Sequence, residues 1–535
     1  MKRIRLISVL LVVVMMLSLA SCGKDKETSA DIKNSDGSNK ETTLKIMFFQ
    51  NKPTGMEDVL EEFYKETKDT LNVKLDIEWV PGIMDLKDKV KLKMAAGEEY
   101  DLVWDAPSAN MLTLIPQGAY VPLEEYFNND KYPGLKKVFS EDFLEANKMS
   151  GHIYGVPLVN DWGMNVDGTV VRKDLREKYA PDGIKTPEEF TAFLEAIKEN
   201  EPDLIPYAAD GSSGLRQSLI QTAEAIDPLK SNIYSYSIGG WPFYFGLNED
   251  KTGLSTPVVP LGAPGEQWEV FGKYNNLEDF YSRYNEYARL NPYLEKDVLA
   301  QKDRNALFYS GKAAMVSGDL GVFDSYITQM KERGYEVEWI SFKQEINEMQ
   351  PAAIESTFVA RNFACVPVTS KKVDRVMEFL NWIFEDKSHH DLFELGIEGK
   401  NWEAVGDEMY KFPDDVDPTT NYNFPGYELT WTPEYVRYME GTPEEIIDLR
   451  KYAADKESYV KSPLSGFFFE NEPIKTELAQ ISSVGKELES PMLCGIYENP
   501  RDEWEKAYKK VEKIGLDKVR EELEKQLTEF FDENK

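Results

Sequence analysis

Cysteine and histidine are scarce in this chain: three of each among 535 residues. The cysteines, Cys22, Cys365 and Cys494, make no CxxC pair and no zinc-ligand spacing. No HExxH and no GxSxG occurs either, so the common metallohydrolase and serine-hydrolase signatures are missing. Positive charge is in short supply too. Against 95 Asp and Glu stand 62 Lys and Arg, a formal net charge of −33. Such acidity argues against nucleic acid, whose phosphates need a basic surface. It argues equally against anionic lipid as a partner of the folded body, and it keeps a protein soluble. After Ala20 there is no apolar run of the roughly 20 residues that a bilayer span needs. No internal repeat of fixed period is present.

What is there begins at the N-terminus. Lys2, Arg3 and Arg5 precede an apolar run from Leu6 to Ala20, a charged region followed by a short hydrophobic one. Leu19-Ala20-Ser21-Cys22-Gly23 resembles the bacterial lipobox: an aliphatic residue, two small ones, then cysteine. The resemblance implies a signal peptide over residues 1–21, cleaved before Cys22, with lipid on that thiol. Residues 22–43 are polar and almost free of apolar side chains, so a flexible tether is expected. The expected location is the outer face of a cell membrane, lipid-anchored.

The body opens with alternating strand and helix patterns. Leu44–Phe49 is a short apolar strand, and Met56, Val59, Leu60 and Phe63 recur at helical spacing. Leu71, Val73, Leu75, Ile77 and Trp79 alternate as a half-buried strand does. Helix Val90–Ala96 and strand Tyr100–Trp104 follow. Alternation of this kind gives a mostly parallel sheet with helices on its faces. Thr186-Pro187-Glu188-Glu189 has the form of a capping box with proline in the first turn. Residues 230–275 are aromatic and are expected to be loop-rich. Cys365 sits in an apolar stretch that reads as a buried strand. A free buried thiol is its expected state, and a Cys365–Cys494 disulfide is the alternative. His389 and His390 are expected at the surface. Asp502–Lys513 and Asp517–Phe531 read as helices parted by Gly515.

The order of these pieces resembles the extracellular solute-binding proteins of bacterial ABC importers, in particular their carbohydrate-binding group. Leu92–Val103, Gln117–Leu123, Ser310–Met315 and Arg375–Ile383 carry the likeness. Leu395–Trp402 and Ser465–Phe469 resemble a large lipoprotein subgroup with a long C-terminal extension. The resemblance implies an α/β, two-lobed, periplasmic-binding-protein-like fold of type II. Each lobe would hold a central mixed sheet flanked by helices, with an extra helical C-terminal region. Lobe one is expected at 44–160 and 306–358, lobe two at 161–305 and 359–535. The lobes would close on a solute, an oligosaccharide, and dock on permease subunits in the membrane. The protein is expected to be a monomer that needs no cofactor.

Sugar recognition takes flat aromatic faces for the C–H side of a pyranose and polar side chains for its hydroxyls. On α/β sheets such groups belong at the carboxyl ends of strands. The candidates are Asn51, Trp104 and Asp105 beyond early strands, and Asp161 and Trp162 at the first crossover. Trp241 and Tyr244 lie in the aromatic segment, Asp319 follows the Ser310–Met315 motif, and Arg361 and Trp402 come later. A calcium loop at Asn248–Gly253 is disfavoured by Lys251 and by a missing final glutamate. Two other readings stand beside the sugar receptor: a receptor for a peptide or other non-sugar solute, and a surface glycoside hydrolase or lyase built on a carboxylate pair.

Overall fold

A computed structural model describes residues 39–161, 166–215 and 223–534. The expected signal peptide, Cys22 and most of the expected tether lie outside the described residues. The first strand begins at Thr42 rather than at the expected Leu44.

In chain order the strands are β1 (Thr42–Phe48), β2 (Val73–Trp79), β3 (Leu102–Asp105), β4 (Val156–Leu158), β5 (Asp167–Arg172), β6 (Ile205–Ala208), β7 (Ile233–Ile238), β8 (Trp241–Gly246) and β9 (Val259–Pro260). After these come β10 (Ala313–Asp319), β11 (Val337–Ile340), β12 (Ile354–Ser356), β13 (Asn362–Cys365), β14 (Glu403–Val405), β15 (Met409–Lys411), β16 (Tyr438–Met439) and β17 (Tyr459–Lys461). They build a mixed α/β molecule with two main sheets.

The first sheet runs β2-β1-β3-β13-β4. Central β1 is parallel to both neighbours, and its Leu44, Ile46, Met47 and Phe48 are all buried. Helix Met56–Thr67 buries Met56, Val59, Phe63 and Thr67, one stripe at a spacing of three to four residues. The second sheet runs β11-β5-β10-β6, with β5 antiparallel to β10 and β11, and β6 parallel to β10.

This register corrects the expected division of the chain. Residues 306–358 supply β10 and β11 to the second sheet, not the first. Strand β13, by contrast, is inserted between β3 and β4 of the first sheet. Helix Val373–Glu385 and the segment to Tyr435 share the first sheet's core. An apolar strand pattern signals burial but carries no information about which distant edge it completes.

A third core explains the aromatic segment. Instead of loops, residues 233–260 contain the antiparallel sheet β7-β8-β9. Trp241, Phe243 and Trp268 pack there with Trp504, Val519, Leu523 and Leu527 from the C-terminal helices Pro500–Val511 and Leu516–Glu533. The extension is thus the other half of that segment's core. The expected surface position of the histidine pair fails on burial, whereas the expected free thiol at Cys365 is present. His390 is buried beside Asp391, and His389 is half-buried, stacked 4.0 Å from Trp382. Cys365 and Cys494 are both free and buried in separate cores, which removes the disulfide.

Candidate functional site

Strand ends gather on one edge of each main sheet, and Arg361, just before β13, links the two edges by its electrostatic reach to Asp167 and Asp319. From the first come the carboxyl ends of β1, β3 and β4 and the start of antiparallel β13. From the second come the ends of β10, β6 and β11 and the start of β5. Chain crossings near residue 160, after β11 and before β17 join the two sides, and β12 pairs parallel with β17 beside them. A small open hollow lies at the junction, lined by Asn160 and Asp161 from the first crossing, Leu320 and Gly321 after β10, and Tyr438 and Arg450.

Charged groups from both sides converge there. Asp167 and Asp319 face each other in register across β5 and β10. Burial, and then the neighbouring Asp319 charge, push the Asp167 carboxyl up to about 6, while Arg361, Lys343 and Arg304 pull the other way. Asp319 is also raised by burial, against the pull of the Gly321 N–H, Arg361 and Arg450. Its Oδ1 accepts the Gly321 N–H at 2.7 Å, so half of this carboxylate fixes the turn. Arg361 sits just before β13 of the first sheet yet lies within electrostatic reach of both acids of the second. Asp161 is buried at the hollow, Asn51 is exposed just past β1, and Trp162 lies outside the described residues.

Burial removes five other candidates from a ligand's reach. Asp105 is fully buried and spends its carboxylate on the Ala106 and Asn110 N–H groups and on the Tyr120 hydroxyl, at 2.8, 2.9 and 2.5 Å. It is a turn cap, not a sugar acceptor. Trp104 is 2% exposed, and its indole N–H points to Asn362 Oδ1 at 3.3 Å. Trp241 is 0% exposed, donates to the Leu261 carbonyl and meets Trp504 edge-on at 5.0 Å. Tyr244 is packed against Trp268 and Phe280. Trp402 donates to the Gly396 carbonyl at 2.9 Å beneath the Arg437 guanidinium.

Other aromatics occupy the edge instead. Phe49, one residue past β1, lies 4.3 Å from Trp104 and stacks on Tyr427 at 5.4 Å, and Tyr427 meets Trp431 at 5.5 Å. Phe49, Tyr427 and Trp431 are each half-buried. The sequence signal for Phe49 was its place at a strand end. Tyr427 and Trp431 sit in an irregular aromatic stretch with no periodicity to mark them.

Residues 59–398 match the family described as bacterial extracellular solute-binding protein, and residues 463–532 match a domain of unknown function (DUF3502). A carbohydrate ABC transporter substrate-binding protein of Streptococcus pneumoniae is 22% identical, over 98% of this chain and 97% of its own. Lipoprotein LipO of Bacillus subtilis is 27% identical over 24% of this chain and 25% of its own. Among solved structures, the N-glycan transport solute binding protein (NgtS) of S. pneumoniae has a TM-score of 0.69 at 21% identity, covering 92% of this chain and 100% of that one. The same protein in complex with Man5GlcNAc gives a TM-score of 0.64. At these identities the likeness establishes the two-lobed type II fold.

Proposed function

The chain belongs to the bacterial extracellular solute-binding proteins, and from that premise we propose that it captures an oligosaccharide between its lobes and delivers it unchanged to an ABC importer. One observation carries the reading. Arg361, just before β13 of the first sheet, lies within electrostatic reach of Asp167 and Asp319 of the second, and half-buried aromatic rings stand farther along the first sheet's edge. Carboxylates and a guanidinium suit sugar hydroxyls, and ring faces suit the C–H side of a pyranose. The names of the relatives, a carbohydrate transporter component and an N-glycan binder, support the ligand class. Lipid on Cys22 would hold the receptor beside its permease, and the likeness to a B. subtilis lipoprotein supports that anchor.

The test is a glycan panel read by thermal shift and tryptophan fluorescence, with mass spectrometry of the recovered ligand. At least one glycan should stabilise the protein and return intact. A panel without any shift, together with a peptide that gives one, would move the assignment to a non-sugar solute. Release of new reducing ends would make the protein a hydrolase.

A further inference from the structure

Tyr427 and Trp431 are half-buried rings at the rim of the first sheet's core, with Trp431 packed against it, and the chain holds them firmly. Their turn is closed by the Gly426 carbonyl, which accepts the N–H groups of Leu429, Thr430 and Trp431 at 3.0, 2.8 and 2.9 Å. A Cβ on Gly426 would collide with the Glu394 carboxylate and the Trp431 ring, so glycine is what lets that indole lie against the turn. Between the two rings sits Glu428, 0% exposed, whose carboxylate accepts the Phe49 N–H at 2.9 Å. The Gln50 amide lies 3.5 Å from its second oxygen. The side chain therefore pins the turn to the end of β1. Phe49, lodged between Trp104 and Tyr427, acts as the pillar.

The planes of Tyr427 and Trp431 stand 84° apart, so together they make a corner rather than a flat platform. A corner of two rings offers a sugar one face to lie on and one wall to abut. It is also displaced from the polar junction. From Arg361 the path runs through Asn362, the Trp104 ring and the Phe49 ring before it reaches Tyr427. Each of those ring-to-ring steps is comparable in size to a sugar ring. A single sugar held at Arg361 and Asp319 cannot also fill the corner.

We propose that Tyr427 and Trp431 form a second, outer sugar subsite, fixed in place by Glu428 as a positioning residue, so that the cleft selects glycan chains over short saccharides. This rests on the sugar-receptor reading above. The ligand class it names is a neutral oligosaccharide long enough to engage the Arg361 junction and the aromatic corner at once.

The experiment uses the full chain and two size ladders, cello-oligosaccharides and α-manno-oligosaccharides from disaccharide to hexasaccharide, titrated by calorimetry. Native protein should bind more tightly with length until the corner is filled, then level off. Trp431→Ala and Tyr427→Ala should each cost about tenfold on the hexasaccharide, in line with the loss of one aromatic contact, and far less on the disaccharide. Arg361→Ala should weaken every length by a similar factor. Glu428→Ala should mimic the ring deletions, and Glu428→Gln, whose amide oxygen still accepts the Phe49 N–H, should restore part of the length dependence. Melting curves check folding. A second readout needs no ring removed from the ligand-bound protein: hexasaccharide should shield Trp431 from acrylamide quenching, seen as the difference between native and Trp431→Phe protein. Equal losses at all lengths, or an unshielded Trp431, would overturn the outer subsite while leaving the receptor reading intact. No binding by any member of either ladder would overturn both.

Discussion

Glu428 is a carboxyl group sealed from water, and burial pushes it up to about 8 against the pull of the Phe49 N–H. Its folded value thus lies above the ordinary 4.5. Below that value folded and unfolded chains both carry the proton. Between the two values the folded chain holds a proton that the unfolded chain has lost. Stability from this group is therefore fully present at low pH and lost as pH rises toward 8, at up to about 1.4 kcal/mol per pH unit. Glu428→Gln should flatten the fall in melting temperature over this window, measured by calorimetry at several pH values. An unchanged slope would mean that the carboxyl is ionised in the folded state. Single residues differ in how plainly the sequence announces them. The Thr186–Glu189 capping box was legible and is formed, with both reciprocal bonds present, because a cap is local. Glu428 gave no signal, because its role depends on Phe49, which lies far away in the chain.

At the scale of elements, the long C-terminal helix shows how tightly the extension is fitted. Helix Lys475–Leu493 ends at Cys494, and Gly495 follows with φ +64°. A Cβ there would run into the Tyr287 carbonyl, which is backbone and cannot move aside cheaply. Gly495→Ala should cost about 2–4 kcal/mol, from left-handed strain plus overpacking, read by urea unfolding. A loss under about 0.5 kcal/mol would show that the helix end is not anchored on Tyr287. The helices themselves were readable from periodicity, and so was Gly515 between the last two, which has φ +117°. The sheet β7-β8-β9 was not. Its aromatic strands alternate poorly, since β8 is buried on both faces under helices that come more than 200 residues later. Phe467 and Phe469 join that core, while Phe468 between them packs on the first sheet's core. The Ser465–Phe469 motif is therefore a joint between two bodies.

For the whole molecule, none of the helices among the described residues is long and apolar enough to cross a membrane. Under the proposed lipid anchor, attachment is assigned to Cys22. Cys22→Ser should abolish metabolic labelling by radiolabelled palmitate and move the protein from membrane to medium. Its glycan affinity, measured on the purified variant, should equal that of the native protein. A variant that stays in the membrane fraction would refute the lipid anchor, and one that loses glycan affinity would tie the anchor to the fold.

The sequence by itself determined the acidic composition, the α/β alternation and the motif order that resembles a two-lobed family. Those properties follow from composition, local periodicity and motif order along the chain. It also named Asp161, Asp319 and Arg361 as candidates, because strand ends and crossings leave local marks. Only the tertiary structure decided which segment completes which sheet, that Trp104, Trp241 and Trp402 are core, and that Tyr427 and Trp431 stand at the edge. The physical reason is that an aromatic side chain has the same composition and much the same local pattern whether its faces meet protein or solvent. What covers those faces is contributed by residues hundreds of positions away.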